Sequence, residues 1–190
     1  MGPIALAIAG WLLANQAWRS ALAWLSLFGA ALFLVACTKV AFAGWGVGVP
    51  QIDFTGISGH STSATSVFPV VGYFIGRKHS RGWAILAGAI GYCLGVAIGI
   101  SRTILGDHSL SEVIVGCTLG GSIALASIAI IRSQSKVVTA PVVLLLAVLA
   151  LAFTLHGDRA PSEKLTTKIA LYLSGRSTPF VRGADWPKPE

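Results

Sequence analysis

The chain has 190 residues, of which 54% are hydrophobic and only 11% carry a formal charge. Soluble domains carry about 25% charged residues, so an ordinary water-soluble domain is excluded and a polytopic helical membrane protein is the first reading. The net charge of +7 does not amount to a nucleic-acid surface, because the basic residues lie scattered in short loops and in the C-terminal tail.

Taken in order, Pro3 to Ala14 is apolar but short, and its length leaves open a helix extended to about Trp18 or an interfacial segment. Ala21 to Thr38 reads as a span with Lys39 at its end. Between Gly44 and Gly59 the density of glycine, with Pro50, predicts an irregular or re-entrant loop. Ser61 to Gly76 predicts a third helix, and Arg77-Lys78-His79-Ser80-Arg81 a basic turn. Trp83 to Ile100 predicts a fourth helix. Its Gly88, Gly91, Gly95 and Gly99 form overlapping GxxxG patterns, which permit close backbone approach and mark this helix as the expected centre of the bundle.

Ser109 to Ile131 predicts a fifth helix and Val137 to Leu155 a sixth, the most uniformly apolar. The expected organisation is one all-α transmembrane domain over residues 1–155, with about six spanning helices, and a polar tail over 156–190. Within the tail, Lys164 to Leu173 could form a short amphipathic helix. Cys37, Cys93 and Cys117 lie in apolar runs without metal-ligand spacing and read as small buried hydrophobes. The N-terminus has no basic n-region and no cleavage site of the secretory kind, so no signal peptide is expected. Short basic turns favour the cytoplasm, which puts the loops around 39–60 and 101–112 together on the outer face.

Those two loops hold Lys39, Ser58, Gly59, His60, Arg102, His108 and Glu112. Ionisable groups beside a bilayer are costly and point to function. Two cations, two imidazoles and a hydroxyl next to helix starts suit a phosphate, because backbone N–H groups and guanidinium or ammonium groups all bind oxyanions. Each residue also has a plainer reading. Ser109-x-x-Glu112 is a capping box for the fifth helix, and Lys39 and Arg102 could simply snorkel to the interface.

Ser58-Gly59-His60, followed by Ser101-Arg102-x5-His108-x3-Glu112, resembles the second and third signatures of the type-2 phosphatidic acid phosphatases. These are the lipid phosphate phosphatases, with glucose-6-phosphatases and vanadium haloperoxidases as relatives. The resemblance implies an integral-membrane phosphatase needing neither metal nor other cofactor. It implies His108 as nucleophile, Glu112 as its brace and His60 as general acid. Lys39, Ser58, Gly59 and Arg102 would hold the phosphate oxygens.

Three positions depart from the signatures. Ile57 replaces a proline, Glu112 replaces an aspartate, and Gly46-Val47 stand where an Arg-Pro pair is expected after Lys39. Either the site manages with less positive charge or another residue supplies it, with Arg176 or Arg182 of the tail as candidates beside the plainer reading of solvated tail arginines. The expected partner is a lipid phosphate or diphosphate in a bacterial inner membrane, undecaprenyl diphosphate first. Phosphatidylglycerophosphate, phosphatidate and lipid A phosphate stand beside it, as does a non-catalytic lipid-phosphate binder or transporter on the same fold. No nucleic-acid partner is expected, and the sequence leaves the oligomeric state open.

Overall fold

The structure, a computed structural model, describes residues 2–134 and 161–182. The predicted sixth span, Val137 to Leu155, lies outside the described residues. Those that are described form six α-helices and one 3-10 turn, with no strand among them: α1 (Gly2–Ala14), α2 (Trp18–Trp45), the 3-10 turn Pro50–Ile52, α3 (Gly59–Gly76), α4 (Arg81–Ile104), α5 (Leu110–Gln134) and α6 (Pro161–Ser174). Among them, α2, α4 and α5 are long and apolar enough to cross a membrane. The chain is an all-α, multi-span membrane protein.

At 13 residues, α1 is about 20 Å long, short of the roughly 30 Å of a bilayer's hydrocarbon core. It packs its Ile4, Ile8 and Leu12 face against α2 and α3. The indole N–H of buried Trp24 donates to Ala5 O at 2.9 Å, so α2 is tied to α1 by a satisfied polar group. Two helices run further than the residue pattern predicts. α2 continues past Thr38 to Trp45, which puts Lys39 inside the helix. α4 continues past Ile100 and takes Arg102 into its last turn.

The centre of the bundle is α3, not α4 as expected. Residues Ser61 to Val67 of α3 are all buried, whereas Ile85, Leu86, Ile90 and Leu94 of α4 are exposed. The glycines of α4 serve to bring its backbone flat against α3. A Cβ at Gly95 would stand 2.8 Å from Thr65 Cγ2, and one at Gly99 2.9 Å from Ser61 Oγ. On the other side Gly116 of α5 does the same, with a Cβ there 2.8 Å from Ser58 O. Close backbone packing suits lipid, where burial of apolar surface no longer drives association.

The hydroxyls of α3 do not conflict with this dry environment. Thr62 Oγ1 donates to Ser58 O at 2.9 Å, Thr65 Oγ1 to Ser61 O at 2.6 Å and Ser66 Oγ to Thr62 O at 2.7 Å. Each is satisfied by the preceding turn of its own helix. Two of the three cysteines depart from expectation. Cys37 and Cys93 are exposed on α2 and α4, and only Cys117 is buried.

Both loops expected to share a surface lie at one end of the bundle. Ser111 Oγ at the start of α5 donates to Ile52 O of the α2–α3 loop at 2.8 Å. At the other end, Trp11 packs on Phe74 and the Arg132 guanidinium lies 5.9 Å from the Tyr73 ring.

Candidate active site

The turn from α4 to α5 is built around one carbonyl. Gly106 takes a left-handed φ of +77°, which reverses the chain, and the N–H groups of Asp107 and His108 both donate to Arg102 O, at 3.0 and 3.4 Å. His108 is thereby delivered to the mouth of α5. Ser109 then starts that helix: Glu112 N–H donates to Ser109 Oγ at 3.4 Å and Ser109 N–H to Glu112 Oε2 at 3.3 Å. This is a reciprocal capping box. The capping reading and the bracing reading of Glu112 are realised in one carboxylate.

Glu112 is only 1% exposed. An ionised carboxylate that deep in a bundle is tolerable only when its lone pairs are all answered. Its Oε2 receives His108 Nδ1 at 2.6 Å as well as Ser109 N–H. Its Oε1 receives Thr55 N–H at 2.8 Å, Thr55 Oγ1 at 2.6 Å and the Arg182 guanidinium. The carboxylate therefore has one orientation. With Nδ1–H donated to it, His108 keeps its lone pair on Nε2, the nitrogen that can attack an electrophile.

The second motif meets this hub through the backbone. Ser58 N–H donates to Glu112 O at 3.3 Å. Ser58 is fully buried and caps α3, its Oγ accepting from Ser61 N–H at 3.4 Å and Ser61 Oγ–H at 2.9 Å. Its hydroxyl thus faces the helix interior. Gly59 and His60 form the first turn of α3, where backbone N–H groups lie beyond the helix's own ladder. His60 is exposed at this end of the bundle.

Lys39 lies on α2 against the loop that leads to Ser58. A Cβ at Gly56 would stand 3.3 Å from Lys39 Cγ, so the loop before Ser58 lies directly on the lysine stem. Ile57 N–H donates to Thr38 Oγ1 at 3.1 Å and fastens the same loop one residue further on. Arg102 pairs with Asp107, Nη1 to Oδ2 at 3.5 Å, while its Nε is buried with no partner among the described residues.

Two contributors had little or no signal in the sequence. Thr55 carries no motif; its role depends on a contact across 57 positions. Arg182 is one of two tail arginines that only their charge marks, and the structure separates them. Arg176 stacks 4.1 Å from the Phe180 ring and donates to Thr178 O, away from the site. Arg182 Nη2 contacts Glu112 Oε1, Thr55 Oγ1 at 2.9 Å and Asp53 O at 3.4 Å, and its Nε lies 3.4 Å from Asp53 Oδ1.

The same tail segment occupies the position where the Arg-Pro pair is missing. Gly46 closes α2 in a left-handed conformation, φ +69°, and the Phe180 ring packs on it, 3.1 Å from where a Cβ would be. Phe180 N–H donates to Ala43 O at 2.9 Å. Among the described residues, no cluster of three or more His, Cys, Asp and Glu stands as a metal-ligand set would.

A family model described as the PAP2 superfamily matches residues 45–136. That stretch holds the Ser58-Gly59-His60 and Arg102 to Glu112 elements, and begins beyond Lys39. An uncharacterized 22.5 kDa protein of the cps region of Klebsiella pneumoniae is 31% identical over 163 residues, covering 84% of this chain and 78% of that protein. Phosphatidylglycerophosphatase B of Bacillus subtilis is 38% identical over 78 residues, covering 38% of this chain and 36% of that protein. No solved structure matches the chain significantly.

Proposed function

The chain belongs to the PAP2 superfamily and is a phosphatase; from that premise we propose that it hydrolyses the phosphate or diphosphate headgroup of a membrane lipid through a phosphohistidine on His108. The observation that carries this reading is the 2.6 Å hydrogen bond from His108 Nδ1 to a Glu112 carboxylate whose oxygens are otherwise fully engaged. Such a pair presents Nε2 as a nucleophile and stabilises the positive imidazole that forms when it attacks.

In the proposed reaction His108 Nε2 attacks phosphorus, a P–N bond forms and the P–O bond to the lipid breaks. His60 gives its proton to the departing oxygen. Water then attacks phosphorus, His60 takes its proton, the P–N bond breaks and inorganic phosphate leaves. Lys39, Arg102 and the Gly59 N–H are proposed to hold the phosphate oxygens, which gather charge as the bond breaks. Ser58 acts from beneath, by fixing the start of α3. No step in this scheme requires a metal or another cofactor.

A lipid substrate is supported by the rim of the site. Val47, Val49 and Ile52 on one side and Ile104, Leu105 and Leu110 on the other are exposed, Ile104 by 81%. A collar of this kind is costly in water and at home at a bilayer surface. The basic residues Arg19, Arg77, Lys78, Arg81 and Arg132 belong to the turns and helix ends distant from this rim, which supports an outward-facing site in a bacterial inner membrane. Undecaprenyl diphosphate is the first candidate substrate. The relative named phosphatidylglycerophosphatase B adds phosphatidylglycerophosphate as the second.

The test is phosphate release by the purified chain from undecaprenyl diphosphate, phosphatidylglycerophosphate, phosphatidate and a lipid A phosphate, with and without a chelator. Activity that resists the chelator and vanishes in His108→Ala is the expected result. Loss on chelation would refute the metal-free scheme, and inactivity on the whole panel would favour a lipid-phosphate binder.

A further inference from the structure

Arg182 lies 70 positions from Glu112 in sequence, and nothing in the residues around it marks it for the site. Its placement depends on a strap. α6 packs on the end of α2, where Ala170 O and the Ser174 side chain face Gly44. The helix stops at Gly175, whose φ of +68° turns the chain. Phe180 then seats on Gly46 with Arg176 stacked over its ring, and Phe180 N–H bonds to Ala43 O. Two residues later the guanidinium enters between Asp53 and Glu112.

We propose that Arg182 is a positioning residue for catalysis: it completes a chain Asp53–Arg182–Glu112–His108 that holds the nucleophile's imidazole in one orientation and one tautomer. Arg182 binds Oε1 and His108 binds Oε2. A guanidinium on one oxygen fixes the plane of the carboxylate, and with it the direction of the other oxygen. It also balances the buried negative charge while His108 is neutral; a lone carboxylate there would take up a proton or turn toward water, and either would release Nδ1. Asp53, whose carboxylate meets Nε and whose carbonyl meets Nη2 on the same edge of the guanidinium, keeps Arg182 from swinging out to the phosphate. This role rests on His108 being the nucleophile, as proposed above.

The experiment uses the full chain in detergent micelles and two readouts. The first is turnover of a short-chain phosphatidate with inorganic phosphate as competitor. Arg182→Gln is expected to lower kcat by roughly 10- to 100-fold, as loss of an imidazole's outer support does, while KM and the inhibition constant for phosphate stay within about twofold. The second is the proton NMR resonance of the His108 Nδ1–H, assigned by its absence in His108→Ala. It is expected far downfield in the parent and displaced upfield in Arg182→Gln.

Arg182→Lys keeps a cation within reach of Oε1. It is expected to retain the downfield resonance and more of the turnover than the glutamine variant, and it decides the matter if Arg182→Gln does not fold. A rise confined to KM and the phosphate constant would make Arg182 a phosphate ligand and overturn the proposal. An unmoved His108 resonance in Arg182→Gln would overturn it too. The NMR arm needs no substrate, so a parent chain inactive on phosphatidate would exclude that one lipid and leave this test decisive.

Discussion

The main-chain N–H of Ser58 hangs from the carbonyl of Glu112, 3.3 Å away. One residue caps α3 and precedes His60; the other caps α5 and braces His108. This peptide contact ties together the two helix starts that carry the histidines.

Glu112→Gln separates the cap from the charge, because glutamine also serves at the third position of a capping box. The amide can no longer accept from every donor around it, and His108 loses the acceptor that fixes its tautomer. Turnover is expected to fall by roughly 10³- to 10⁴-fold, on the scale seen when the carboxylate of a catalytic His–Asp pair is neutralised. Glu112→Ala should in addition remove the capping box and the acceptor shared by Thr55 and Arg182, and cost on the order of 1–3 kcal/mol. Steady-state kinetics beside apparent melting in detergent would separate the two variants.

His60→Ala should reveal its role through the leaving group. A general acid matters most when the departing oxygen is a poor leaving group. The variant is expected to lose about 10²- to 10⁴-fold on a lipid alkyl phosphate and markedly less on p-nitrophenyl phosphate. Equal losses on the two substrates would remove the general-acid assignment.

Gly46→Ala tests the seat of the strap. The residue must hold φ +69° and leave room for the Phe180 ring, so alanine is expected to cost about 1–3 kcal/mol locally. Protease cleavage within 175–182 should become faster, and turnover should fall with Arg182 still present in the sequence. Unchanged cleavage and turnover would show that Phe180 does not need this seat.

Gly95→Val tests whether α3 and α4 need backbone contact. Its Cβ would already meet Thr65 Cγ2 at 2.8 Å and Thr65 N at 2.9 Å. The variant is expected to lose at least about 2 kcal/mol, toward the upper range for overpacking. Apparent melting in detergent measures it; a shift of only a degree or two would mean the helices can slide apart without loss.

How far the sequence reveals this molecule follows from the range of each interaction. The capping box and the four-residue step from His108 to Glu112 are local, so the third motif is legible almost atom by atom. Ser58 is legible as part of a motif, but its hydroxyl is turned into α3, since a helix start needs a capping oxygen before anything else. The glycines of α4 signal close packing but not which partner holds the centre; burial of the hydroxyl-bearing α3 depends on back-bonding that composition does not display. The reach of α2 beyond Lys39 was masked by the glycines that follow. Thr55 and Phe180 act across tens of positions and leave no local trace. Arg182 was visible only as surplus charge.

The hydroxyls of α3 carry one more implication. Thr62, Thr65 and Ser66 each donate to a carbonyl one turn back, so their protons are committed to the backbone of their own helix. Among the described residues, these three hydroxyls therefore extend no donor chain along α3 from the histidines. In the proposed dephosphorylation the lipid keeps its leaflet and the freed phosphate enters the compartment that bathes the exposed rim.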